Sequence, residues 1–78
     1  MKGPSRVVFT EHAAERATRY GLRVTDVAGA ILDKHSGRRK NPGAGDWQVR
    51  RGRFVVVYNW PDEGDQSAAR VVTLWSEE

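Results

Sequence analysis

Trp47-Gln48-Val49-Arg50-Arg51-Gly52-Arg53-Phe54-Val55-Val56-Val57-Tyr58-Asn59-Trp60 is the stretch on which the fold turns. β-Branched and aromatic residues fill both halves, and one glycine lies between them. The segment therefore reads as two strands, Trp47 to Arg50 and Arg53 to Trp60, folded back at an Arg51-Gly52 turn. Glycine accepts a positive φ without steric cost, as a two-residue hairpin requires. Such a turn sets Val49 opposite Phe54 and Trp47 opposite Val56, so Trp47, Val49, Phe54, Val56 and Tyr58 share one face.

Working outward, Pro61 to Asp65 carries three carboxylates with Pro and Gly and reads as an exposed, solubilising turn. A third strand, Arg70 to Trp75, then returns with Val72 and Leu74 inward. Alternation sends Gln48, Arg50, Arg53, Val55, Val57, Asn59, Val71, Thr73 and Trp75 to the other face, which mixes cations, hydrogen-bonding groups and an indole. Upstream, Thr10 offers an N-cap hydroxyl to a helix over Glu11 to Tyr20, with Ala13, Ala17 and Tyr20 as its buried stripe and Gly21 to end it. Thr25 or Asp26 caps a second helix over Asp26 to Lys34 that buries Val27, Ala30 and Ile31. His35 to Gly45 is rich in breakers and reads as the most flexible part of the chain. The short apolar segment Arg6 to Phe9 is either a lead-in or a fourth strand. These elements predict a single α+β domain over residues 1–78, two N-terminal helices packed on one face of a three- to four-stranded antiparallel sheet.

A chain of 78 residues buries only about 60 % of its unfolded surface, so a modest core is expected. Cys 0 excludes disulfides and thiolate metal sites and makes a reducing cytoplasm the default expectation. No apolar run is long enough for a signal peptide or membrane span, so no membrane partner is expected. The net charge of +3 is unevenly spread. Between Arg38 and Arg53 the chain carries Arg38, Arg39, Lys40, Arg50, Arg51 and Arg53 against Asp46 alone, a local balance of +5. Concentrated cations are the footprint of phosphate binding, although a plain solvated surface has the same composition.

On the first helix His12, Arg16 and Arg19 stand at i, i+4 and i+7 and form one stripe beside the buried one. Metal-independent RNA cleavage calls for an imidazole that moves a proton near neutral pH and for cations that hold charge on phosphorus. The alternative is a surface histidine among arginines paired to Glu11 or Glu15. His35, after the second helix, reads either as an imidazolium at the helix carbonyls or as a second proton-transfer group. Trp75 offers a base-stacking platform, contributing about 1–3 kcal/mol per base. No Gly-rich phosphate loop, metal-spaced histidine pair, calcium loop or nucleophile elbow occurs, so no metal or other cofactor is expected.

The run Phe9-Thr10-Glu11-His12-Ala13-Ala14-Glu15-Arg16-Ala17-Thr18-Arg19-Tyr20-Gly21-Leu22, continuing to Thr25-Asp26-Val27 and Ala30-Ile31, resembles the opening of domain-of-unknown-function family 4258. The strands Phe54 to Tyr58 and Val71 to Trp75 are similar too, so the resemblance covers most of the chain. Tyr20 stands where that motif usually has arginine before glycine. The family looks like part of the barnase, EndoU, colicin and RelE group, in which helices cover one face of a sheet and the other receives RNA. The resemblance implies a RelE-like toxin-type domain, with His12 and Arg16 at positions that matter and Arg53, Tyr58 and Thr73 as strand candidates.

Residues and resemblance together give the expectation of a small endoribonuclease that cleaves RNA through its own 2′-hydroxyl. Its catalytic residues would be His12, Arg16 and Arg53, and its RNA contacts Arg19, Arg38, Arg39, Lys40, Arg50, Arg51, Tyr58, Thr73 and Trp75. Expected partners are RNA, whether free or at the ribosome, and a cognate inhibitor protein. The rival reading is a non-catalytic RNA-binding or protein-interaction module, such as one half of a toxin–antitoxin pair, docking through Val55, Val57 and Trp75.

Overall fold

The computed structural model describes residues 3–77. Its elements are β1 (Arg6–Phe9), α1 (Glu11–Arg19), α2 (Val24–Lys34), a 3-10 turn over His35–Gly37, β2 (Arg39–Lys40), β3 (Trp47–Arg51), β4 (Phe54–Asn59) and β5 (Ala68–Ser76). Arg6 to Phe9 is thus a strand. The sheet has five strands in the order β1-β5-β4-β3-β2. It is mixed, because β1 runs parallel to β5 while the other pairs are antiparallel. The wholly antiparallel sheet of three to four strands is corrected on both counts. Three successive hairpins alternate the direction of β2 to β5, and the helical crossover from β1 to the far edge leaves β1 aligned with β5. β2 escapes a sequence reading because two basic residues are too short a run to show alternation.

The helices begin where backbone donors find acceptors. Thr10 Oγ1 accepts from the Ala13 amide at 3.1 Å, and Gly21, at φ 74°, follows the C-cap Tyr20. Helix α2 starts earlier than its acidic residue implied: Asp26 sits inside the first turn and its carboxylate accepts from the Arg23 amide at 3.2 Å. Ala13 and Ala17 of α1 and Val27 and Ile31 of α2 close over Val49, Val56, Tyr58, Val71 and Leu74 of the sheet. The two buried alanines bring α1 close to β5, where it makes its main contacts.

The β3–β4 hairpin turns one residue later than expected. Arg51 pairs with Phe54, Val49 with Val56 and Trp47 with Tyr58, so Gly52 and Arg53 form the loop, with Gly52 at φ 59° in its first position. Moving a two-residue turn by one shifts the pairing by two, which preserves the face of every side chain. The inward set was therefore right although each named pair was wrong. On β5 the register slips between Val57 and Tyr58, whose partners are Thr73 and Val71. Val72 is the extra residue, and Val71 takes the inward position assigned to it.

The Pro61 to Asp65 turn also does more than solubilise. The Asp62 carboxylate accepts two bonds from Arg70, at 2.9 and 3.1 Å. Asp65 accepts from the Ser67 amide and hydroxyl and from Arg6, and those bonds hold its carboxyl below the usual carboxylate range. The turn thereby ties β1 to the start of β5.

Candidate functional site

Strand β1 stops pairing at Val71, which leaves the rest of β5 with an open edge. The first two turns of α1 cover that edge. Thr10 Oγ1 donates to the Val72 carbonyl at 3.3 Å, and Arg16 Nε donates to the Leu74 carbonyl at 3.1 Å. Between them His12 Nε2 lies 3.3 Å from Thr73 Oγ1. His12 is exposed and Arg16 half-buried, and the Arg16 guanidinium lies 5.9 Å from the Tyr20 ring centre. An accessible imidazole and an oriented guanidinium thus stand side by side where helix and strand edge meet. The imidazole can exchange a proton with a ligand, and the guanidinium donors not used by the Leu74 carbonyl can meet a phosphate.

The predicted residues divide into those the fold brings here and those it does not. His12, Arg16 and Thr73 converge, with Trp75 two residues along on the Thr73 side of β5. Arg19 is exposed on the last turn of α1 and makes no ion pair among the described residues. Arg53 stands apart. Its carbonyl accepts from the Glu77 amide, which places it level with the end of β5, about 13 Å along the strand from Thr73 at ~3.3 Å per residue. Its guanidinium lies 5.7 Å from the Phe54 ring centre, and Phe54 meets Tyr20 edge-on at 5.9 Å. Arg16 and Arg53 therefore flank one aromatic pair.

Arg39 and Lys40 are exposed on the far edge of the sheet. Arg39 and Arg50 line a cleft of about 530 Å³ with Asp33, Lys34 and Ser36. Arg50 pairs with Glu77, and Arg51 lies 3.9 Å from Asp33. The Trp75 indole donates to Glu77 at 3.4 Å, leaving the ring half-buried. Val55 and Val57 are each 1 % exposed. The Asn41 to Asp46 loop folds back over this side, where a Cβ on Gly45 would overlap Val57 Cγ1. Docking through exposed Val55 and Val57 is corrected accordingly. The Asn41 amide donates to the Asp46 carbonyl at 3.0 Å, and the Asn41 side chain bridges Gln48 and Ala44, both at 2.8 Å.

Of the predicted RNA contacts, Tyr58 is internal and Arg38 is half-buried against it. Tyr58 is 0 % exposed, and its hydroxyl lies 2.8 Å from His35 Nδ1. Burial pushes its phenol up to about 12, against the opposing charge of Arg38. Arg38 lies over the rings of Trp47 and Trp60, at 4.1 and 5.3 Å, and donates to the His35 carbonyl. His35 is itself buried at 7 % exposure, with its Nε2 unpartnered, and meets Trp60 edge-on at 4.6 Å. Burial first and the Arg38 charge second hold its imidazole below the ordinary histidine value. It is neither an exposed helix cap nor an accessible acid. Strand alternation already turned Tyr58 inward; the buried histidine and caged arginine gave no signal in a polar, glycine-bearing stretch.

Among the described residues no three His, Cys, Asp or Glu side chains are grouped to hold a metal ion, and no helix is long and apolar enough to cross a membrane. No family model matches the chain, so the likeness to family 4258 finds no support there. No curated protein matches either. Among solved structures, the chain is similar to the RelE toxin of the toxin–antitoxin complex RelBE2 from Mycobacterium tuberculosis. That similarity has a TM-score of 0.68 at 18 % identity and covers 95 % of this chain and 99 % of that one. The α+β architecture described above is a RelE-like fold.

Proposed function

We propose that this protein is a toxin-type endoribonuclease that needs no metal and is held in check by a cognate inhibitor protein. The observation that carries the reading is the His12 imidazole 3.3 Å from Thr73 Oγ1, beside the Arg16 guanidinium fixed on the Leu74 carbonyl. The fold shared with a RelE toxin supports the class of activity, and that neighbour's assembly with an antitoxin supports the inhibitor.

In this reading Arg16 holds a phosphate of the RNA strand. His12 takes the proton of the adjacent 2′-hydroxyl, whose oxygen attacks phosphorus. The bond to the 5′-oxygen breaks, that oxygen takes a proton from water, and a 2′,3′-cyclic phosphate remains. Thr73 accepts or donates one hydrogen bond to orient the imidazole, and Trp75 stacks on a base. Arg19, Arg39, Lys40 and Arg53, which form no ion pair among the described residues, follow the backbone. Tyr58 is left out because the core holds it, and Arg38 because it is stacked on two indoles.

Purified protein is incubated with bulk RNA in EDTA and compared with His12→Ala. Cyclic-phosphate ends formed by the wild type and at least 100-fold fewer by the variant support the enzyme. Equal binding by both proteins without cleavage by either leaves the non-catalytic module.

A further inference from the structure

The sheet carries a second titratable centre against Tyr58, separate from the His12 site. His35 touches the chain's own N-terminal lead. A Cβ on Gly3 would overlap the imidazole Cδ2 and stand 3.1 Å from Nε2, so the Gly3 backbone lies flat on that ring edge. Pro4 beside it is buried. We propose that Gly3-Pro4 is an acid-released latch, seated on a neutral His35 and shed when the imidazole takes a proton.

The surroundings of His35 decide the direction. From β4 it receives the Tyr58 hydroxyl, from the segment after the 3-10 turn the Arg38 guanidinium, and from Trp60 an indole ring met edge-on at 4.6 Å. Its neighbour Lys34 is exposed. Gly3 and Pro4 bring no charge, and no carboxylate among the described residues forms an ion pair with it. One ring nitrogen is satisfied by Tyr58, and the other has no partner among the described residues. A second proton would place an unpaired N–H and a positive charge beneath the lead and near a second cation. The ring reaches water most directly by displacing what covers its Nε2 edge, which is Gly3.

The same contacts limit what moves. The Ser5 and Arg6 amides both donate to the Ser67 carbonyl, at 2.8 and 3.0 Å, and β1 pairs with β5 from Arg6 onward. Release therefore hinges at Ser5. Residues 3 and 4 leave while Val7, Val8 and Phe9 stay in the sheet, uncovering His35 and the Arg38 cage.

The test is a pH titration of the isotope-labelled full chain by NMR from 7.5 to 4.5. In the wild type the Gly3 Hα resonances should move to random-coil positions together with the His35 ring titration, while the Val7 and Val8 amides hold. In His35→Gln, which keeps a neutral hydrogen-bonding group beside Tyr58, Gly3 should stay put throughout. A His35 ring that titrates under an unmoved Gly3 overturns the latch, as does an identical Gly3 transition in His35→Gln or one concerted loss of every amide. Should His35→Gln fail to fold, Gly3→Val supplies the decision. Its side chain forces the lead off at pH 7.5, and the His35 midpoint should rise toward the ordinary histidine value; an unchanged midpoint sinks the proposal. None of these readouts depends on RNA.

Discussion

His12 and His35 bring the same side chain into opposite settings, and the difference sets what each can do. His12 is exposed with one hydroxyl neighbour, so a ligand can reach its ring. His35 is buried against Tyr58 and near Arg38, which favours its neutral form in the folded state. The unfolded chain binds a proton at His35 near pH 6.5, and the folded chain only at a lower pH. Folding stability is therefore full above pH 6.5 and falls as pH drops below it, until the folded form is protonated as well. Urea denaturation of the wild type between pH 7.5 and 5 should show this loss, and His35→Gln should flatten the dependence in that window. A wild-type curve as flat as the variant's would remove His35 as its source. At the other histidine, Thr73→Val removes the orienting hydroxyl while keeping the side-chain shape. Its cleavage of RNA should fall roughly 10-fold, about 1.4 kcal/mol of barrier, with no change in unfolding midpoint; unchanged cleavage would strip Thr73 of any part in orienting His12.

Turns and edges show which parts of the elements a sequence makes legible. Gly52 stands at φ 59° with nothing within 4 Å of where a Cβ would be, so Gly52→Ala should cost only the left-handed backbone penalty, about 1–2 kcal/mol. Gly45 adds steric overlap with Val57 to a φ of 97°, so Gly45→Ala should destabilise more than Gly52→Ala and free the Asn41 to Asp46 loop. Equal losses in denaturant for the two variants would mean that the loop does not press on the sheet. The hairpin faces were legible because alternation survives a two-residue register shift, whereas the pairs depended on which turn position Gly52 took. Helix α1 was legible from Thr10 and Gly21, which act locally. The Val72 bulge and the parallel pairing of β1 were not, because contacts distant in sequence impose them, and the two-residue β2 was not, because so short a run shows no alternation. The candidate site followed the same rule. Helical spacing placed His12 with Arg16, but only the fold could show that Arg53 stands level with the end of β5, that Tyr58 is interior and that Arg38 is stacked on two indoles.

Across the whole molecule, the net charge of +3 understates how positive charge is offered to a partner. Arg6, Arg50 and Arg70 are neutralised by Asp65, Glu77 and Asp62, and Arg38 is caged by indoles. Arg39 and Lys40 lie exposed on the β2 edge without a carboxylate partner among the described residues, while Arg16 sits across the sheet beside β5. If a single RNA strand spans both edges, each phosphate contact contributes about 0.7 to the slope of log affinity against log salt. Replacing Arg39 and Lys40 together with alanine should lower that slope by about 1.4, whereas Arg16→Ala, one guanidinium, should lower it by about 0.7. Filter binding of a non-cleavable 2′-deoxy oligonucleotide at 50 to 200 mM salt measures both. A double variant with the wild-type slope would confine binding to the α1–β5 edge and take β2 out of the interface. An equal drop for Arg16→Ala and for the double variant would instead be excessive for one guanidinium, and would mean that losing Arg16 disturbs the β5 edge it caps.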